Sequence, residues 1–144
     1  MDRPLALVTG ALGFVGPHLV SSLLRDGARV AGLDRVGAGA SPPARRGAFV
    51  AADGGPGAVR YAGEPGAWTC HLQDLADGPA LAALLERERP AAVYHLAARS
   101  SAAASFGDPA GVIQDNLGGA LNLLEAVRAL PPERRPVVVV AGSA

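Results

Sequence analysis

With 144 residues, the chain is long enough to bury one core and too short for two. Thirteen basic residues balance thirteen acidic ones without a basic block, which argues against a nucleic acid or an anionic membrane as partner. The single cysteine, Cys70, excludes an internal disulfide, no apolar run approaches the roughly 18 residues of a membrane span, and no secretory leader is readable, so a soluble, cytoplasmic chain is expected.

The elements alternate between short apolar runs and longer segments of helical period, the pattern of strand–helix–strand units around a parallel sheet. Leu5 to Thr9 reads as a strand that is apolar on both faces. A glycine-rich turn follows, then a helix over residues 14–26 that Gly27 stops. The second strand covers residues 29–33. Residues 35–67 are rich in Gly, Pro and Ala and lack a period. They read as an irregular excursion, with a disordered insertion, a binding lid and a short edge strand near 48–52 all open. A third strand is expected at 68–72, a helix at 78–89 with Leu81, Leu84 and Leu85 on its apolar stripe, and a fourth strand at 92–96. A long helix over 109–130 carries Leu117, Leu121 and Leu124 at helical spacing before Pro131, and a fifth strand, 137–141, contains four valines.

The segment Gly10-Ala11-Leu12-Gly13-Phe14-Val15-Gly16 is the most specific signal, because it follows a predicted strand and opens a predicted helix. Gly10 permits a tight turn, Gly13 lets backbone approach a pyrophosphate, and Gly16 lets the helix pack closely on the sheet. The N-terminus of that helix offers N–H groups and a positive dipole end to phosphate. Pro17 falls in its first turn, where a missing N–H costs little. Asp34, eighteen residues beyond Gly16, stands where a carboxylate accepts hydrogen bonds from adenosine ribose hydroxyls. That favours NAD over NADP, although Arg35 beside it leaves NADP open.

On these residues the chain resembles the extended short-chain dehydrogenase/reductase family, the NAD-dependent nucleotide-sugar epimerases and dehydratases. The resemblance implies an α/β, doubly wound parallel sheet of Rossmann type with NAD as cofactor. Four further segments agree: Asp74-Leu75, His95-Leu96-Ala97-Ala98, Asn116-Leu117-Gly118-Gly119 and Gly142-Ser143-Ala144. By the resemblance, Asp74 and Leu75 contact adenine, Leu96, Ala97 and Ala98 line the cofactor, Asn116 supports the active site, and Ser143 hydrogen-bonds the sugar group undergoing chemistry. Read from the residues alone, Asp74 could cap the following helix and Asn116 could face solvent or backbone. His95 at a strand end is given no acid–base role, and no metal site or serine–histidine–aspartate triad is readable among His18, His71, His95, Cys70 and Ser143.

Local wording over Gly13-Phe14-Val15-Gly16-Pro17-His18-Leu19, His95-Leu96-Ala97-Ala98-Arg99-Ser100-Ser101 and Asn122-Leu123-Leu124-Glu125-Ala126-Val127-Arg128 is most similar to the GDP-mannose 4,6-dehydratase and GDP-4-keto-6-deoxymannose reductase branch. One departure is large. The family's base is a tyrosine four residues before a lysine, and every basic residue here is arginine. Tyr61 and Tyr94 are the only tyrosines, both upstream of Ser143. The expectation is therefore the cofactor-binding N-terminal portion of such an oxidoreductase or lyase, inactive alone, with the sugar-binding portion absent and an apolar strand edge inviting self-association. A non-catalytic dinucleotide-binding module is the alternative.

Overall fold

The structure is a computed structural model that describes residues 3–37 and 40–142. Its strands are β1 (Leu5–Thr9), β2 (Arg29–Asp34), β3 (Arg45–Arg46), β4 (Phe49–Asp53), β5 (Ala58–Gly63), β6 (Gly66–Leu72), β7 (Ala92–His95) and β8 (Val137–Val140). The helices are α1 (Gly16–Arg25), α2 (Gly78–Glu88), α3 (Ala102–Gly107) and α4 (Pro109–Ala129). All eight strands form one sheet in the order β3-β4-β5-β6-β2-β1-β7-β8. The five strands expected from sequence make its parallel part, β6-β2-β1-β7-β8. That is the doubly wound order in which β1 sits at the switch between leftward and rightward strands.

Strand alternation sends neighbouring side chains into two separate cores, which is why β1 and β2 read as continuously apolar. Leu5, Leu7, Ala31, Leu33 and Val93 face α2 and α4, where Leu81, Leu84, Leu85, Leu123 and Val127 meet them. Val8, Val30 and Cys70 face the other way, toward Val20 of α1. Burial pushes the Cys70 thiol up to about 12, so it serves as a small inert core residue.

Two expectations are corrected here. Residues 35–67 are not simply an irregular excursion: the strand left open near 48–52 is present as β4, and β3, β4 and β5 form an antiparallel ribbon that continues onto β6. Its inward face supplies Phe49, Val59 and Tyr61 to the α1-side core. Tyr61 stacks on Trp68 at 4.9 Å between centroids, Phe49 meets Trp68 edge-on at 5.9 Å, and the Tyr61 hydroxyl donates to the carbonyl of Pro43 at 2.8 Å. Such ring pairs contribute about 0.5–1.5 kcal/mol each beyond the area they bury. The second correction concerns α4. Leu117, Leu121 and Leu124, expected as its apolar stripe, are 67%, 56% and 48% exposed, while Leu123, Ala126 and Val127 pack inward. The helix is apolar on more than one side, so spacing alone does not say which side meets the sheet. Val137, Val139 and Val140 of β8 are exposed.

Candidate functional site

A cleft of about 610 Å³ opens at the carboxyl ends of the parallel strands, between the β1–α1 turn, the ends of β2 and β6, the loop leaving β7, and α4. The β1–α1 turn forms its floor. Gly10 lies at φ +71°, a left-handed conformation that side chains rarely adopt, and a Cβ there would stand 2.8 Å from the backbone nitrogen of Ala97. At Gly16 a Cβ would overlap the carbonyl of Ala11, so glycine lets α1 start directly on the turn. At Gly13 the only close neighbour of an added Cβ is the Gly10 carbonyl oxygen, at 3.1 Å. Gly10 and Gly16 thus serve the fold, and Gly13 faces space that the fold does not fill.

The three longer helices begin differently. In α2 the Asp77 side chain accepts from the Ala80 N–H, and in α4 the Asp108 side chain accepts from the Gly111 N–H. In α1 no side chain caps the N-terminus and no acid lies in the first turn. The positive end of that helix therefore faces the cleft with no capping side chain and no acid of its own first turn.

Asp34 ends β2 at the edge of this floor. One carboxylate oxygen accepts from the Leu12 N–H and the other from the Arg35 N–H, both at 2.8 Å. Burial pushes the Asp34 carboxyl upward; those two N–H groups and the charges of Arg35 and Arg46 oppose the shift. A carboxylate oxygen has room for a further donor, so Asp34 can brace the glycine turn and still accept a hydroxyl.

The Arg35 guanidinium is engaged elsewhere. It donates to Asp74 at 3.4 Å and to Asp115 at 3.0 Å, and Asp115 also pairs with Arg99 at 3.4 Å. Its hydrogen bond from Arg35 is the main reason the Asp115 carboxyl lies below its usual range. At the end of β7, the buried Thr9 hydroxyl lies 2.8 Å from His95 Nδ1 and accepts from the Ala97 N–H at 3.3 Å. The Thr9 hydroxyl donates to Nδ1 or accepts from it according to which ring nitrogen carries the proton. Burial lowers the His95 pKa, and the residue ties β1 to β7 beneath the cleft.

Of the expected site residues, the three turn glycines, Phe14, Val15, Asp34, Arg35, Asp74, Leu75, Leu96, Ala97, Ala98 and Asn116 all line the cleft. The Leu12 side chain is buried in the α1-side core, and its N–H reaches the site through Asp34. Asp74 is not the cap of α2, a role that Asp77 takes. Asn116 faces backbone: Oδ1 accepts from the Arg99 N–H at 2.7 Å and Nδ2 donates to the Arg99 carbonyl at 3.1 Å. Ser143 lies outside the described residues, although Ala141, just beyond β8, lines the cleft. Sequence reasoning missed Gln73, Arg99, Asp115 and Asn122 as lining residues. Arg99 and Asn122 carried a signal, the local wording of residues 95–101 and 122–128, which names no role for either. Among the described residues no cluster of three or more His, Cys, Asp or Glu is placed to hold a metal, and no helix is long and apolar enough to cross a membrane.

Comparison with known proteins agrees with this geometry. Residues 6–144 match the model of the NAD dependent epimerase/dehydratase family. The chain belongs to that family. A dTDP-glucose 4,6-dehydratase of Xanthomonas campestris pv. campestris is 33% identical over 133 residues, which cover 90% of this chain and 34% of that one. UDP-glucuronate 4-epimerase 3 of Arabidopsis thaliana is 33% identical over 137 residues, covering 95% and 29%. Among solved structures, the UDP-glucose 4-epimerase of Thermus thermophilus in complex with NAD superposes with a TM-score of 0.64 at 33% identity, covering 86% of this chain and 33% of that one. A UDP-glucose-4-epimerase of Stenotrophomonas maltophila with bound NAD gives 0.71 at 25% identity, covering 99% and 38%. The chain therefore spans about a third of the length of these family members. A GDP-mannose 4,6-dehydratase of Sordaria araneosa is 35% identical over 130 residues, covering 90% of this chain and 21% of its own length, so relatives with three different nucleotides match about equally well.

Proposed function

We propose that the cleft binds NAD and that the chain is the dinucleotide-binding portion of a nucleotide-sugar epimerase, dehydratase or reductase acting at C4 of the sugar. The observation that carries this reading is the placement of the uncapped α1 N-terminus and the Asp34 carboxylate on one cleft wall. A pyrophosphate on the helix end puts the adenosine ribose within reach of Asp34. A 2′-phosphate would meet the Asp34 charge, and the Arg35 guanidinium that could offset it is held by Asp74 and Asp115. Titrating the protein with NAD and NADP tests this: tighter binding of NAD supports it, and equal or reversed affinities refute the role given to Asp34.

In this reading Gly13, Phe14, Val15 and Gly16 surround the pyrophosphate, Asp74 and Leu75 flank adenine, and Leu96 to Ala98 lie along the nicotinamide half. Bound NAD supplies the hydride acceptor. Ser143 orients the sugar hydroxyl or keto group and is not a base, because an unassisted hydroxyl keeps its proton at neutral pH.

The 144 residues contain no lysine, Tyr61 is buried against Pro43, and Tyr94 belongs to β7. A positioned base contributes about 10² to 10⁴ in rate, so the chain alone is expected to turn over no dTDP-, GDP- or UDP-linked sugar with NAD. Measurable turnover would demand a base among these residues. The exposed leucines of α4 and valines of β8 also support self-association, expected as a concentration-dependent mass in sedimentation; a strictly monomeric chain at high concentration would refute it.

A further inference from the structure

The cleft contains an amide that is committed to the protein's own backbone. Asn122, on α4, donates from Nδ2 to the carbonyl of Leu75 at 2.8 Å and to that of Ala76 at 3.4 Å. Both carbonyls belong to the short loop between β6 and α2. Its entry is also tied to β2, since the Gln73 N–H donates to the Asp34 carbonyl at 2.9 Å and Asp74 pairs with Arg35 at 3.4 Å, and its remaining backbone ties are local. Asp74 Oδ1 accepts from the Ala76 N–H at 2.9 Å, and the Asp74 carbonyl accepts from the Asp77 N–H at 3.1 Å. Three residues before Asn122, an added Cβ on Gly119 would stand 3.4 Å from Leu75 Cβ and Cδ1. Thus α4 holds this loop at two points, by a donor and by a close approach.

We propose that Asn122 is a positioning residue for the adenine end of the cleft, fixing the Asp74–Leu75–Ala76 loop at the height the base requires. The proposal rests on the dinucleotide reading above. With the pyrophosphate on α1 and the ribose at Asp34, the base extends away from β1. The next strand in that direction is β6, whose exit loop Asn122 holds. Asn116 does the corresponding work on the opposite wall, clamping the Arg99 backbone in the loop that leaves β7. Two asparagines on one helix thereby set the two walls separately.

Two carbonyl oxygens can be satisfied only by a donor. Asn122→Asp keeps the shape and sets a carboxylate against them, and protonation of that carboxyl restores an O–H donor. Asn122→Ala removes the donor and adds no charge, with a good helix former in its place.

The test is to measure ADP-ribose and nicotinamide mononucleotide affinity for the unaltered protein and both variants between pH 5 and pH 8. At pH 8 both variants should lose at least about tenfold for ADP-ribose, or about 1.4 kcal/mol, and stay within about twofold for nicotinamide mononucleotide. Relative to the unaltered protein, the Asn122→Asp deficit should shrink toward pH 5 and the Asn122→Ala deficit should not. Equal loss of both ligands, no loss, or a deficit in Asn122→Asp that ignores pH overturns the proposal. Hydrogen exchange without ligand supplies a separate readout: in Asn122→Ala the Ala76 and Asp77 amides should exchange at least about tenfold faster, with β1 and α2 unchanged. Unchanged exchange at the loop overturns the proposal whatever the ligands do. Faster exchange in a protein whose unaltered form binds neither ligand refutes the dinucleotide reading instead, with Asn122 still holding the loop.

Discussion

Replacing Gly13 by valine separates the space the fold uses from the space a ligand uses. Gly13 is not among the positive-φ glycines, so its backbone accepts a side chain, and an added Cβ meets only the Gly10 carbonyl oxygen, at 3.1 Å. A shift of a few tenths of an ångström absorbs that contact, and a stiffer unfolded chain offsets part of the cost. The expected loss of stability is under about 1 kcal/mol, which at this size moves the melting temperature by roughly 4 °C or less. Binding is affected quite differently. The valine methyls occupy the approach to the α1 N-terminus, and a pyrophosphate denied two charge-assisted hydrogen bonds at about 1.5–3 kcal/mol each binds roughly 10² to 10⁴ times more weakly. Gly16→Ala makes the opposite case. Its Cβ would overlap the Ala11 backbone, which has no rotamer to change. Overpacking of this kind costs about 1–3 kcal/mol or more, so stability falls first and affinity falls with it. Calorimetric titration with NAD, alongside thermal melts of both variants, decides the matter. A Gly13→Val protein that binds NAD normally would show that the turn is not the site. One that fails to fold would show that the space at Gly13 is not open.

Two further outcomes follow from the same geometry. Asp34→Asn keeps an acceptor for the Leu12 N–H and removes the charge. Like charges about 4 Å apart at an effective dielectric near 20 cost at most roughly 4 kcal/mol before screening, so the ratio of NADP to NAD affinity should rise at least about tenfold; an unchanged ratio in paired titrations refutes the charge argument. Stability should fall between pH 7.5 and pH 5.5. Burial lowers the pKa of His95, and of His71 despite Glu88 at 3.3 Å, below the ordinary 6.5. In that window the unfolded chain therefore takes up protons that the folded chain refuses, and stability is lost as pH drops. Urea midpoints at the two pH values measure it. A midpoint that rises toward pH 5.5, or a fall that persists undiminished in His95→Gln, contradicts the assignment.

The turn and the acid are legible in the sequence because their signals are local. Gly10, Gly13 and Gly16 lie within one strand-to-helix connection, and Asp34 ends a strand that pairs with β1 residue by residue. Helix α2 is equally plain, since Leu81, Leu84 and Leu85 fall on its one apolar side. The GDP-mannose wording is less decisive, because dTDP- and UDP-linked relatives match at similar identity across the same residues.

What the sequence determined by itself was the set of parallel strands, the glycine turn that opens a helix and the carboxylate beside it, each written in the spacing of neighbouring residues. Tertiary structure decided the remainder. The ribbon of β3, β4 and β5 forms because β6 offers an open edge and Trp68 offers a ring surface to Tyr61 and Phe49, and neither is visible in a Gly-, Pro- and Ala-rich stretch. Which side of α4 is buried, the turn of Leu12 into the core, and the partners of Arg35, Asn116 and Asn122 depend on residues between 17 and 80 positions apart. Such pairings are set by how helices and strands stack, and periodicity within one segment carries no information about the segment it will meet.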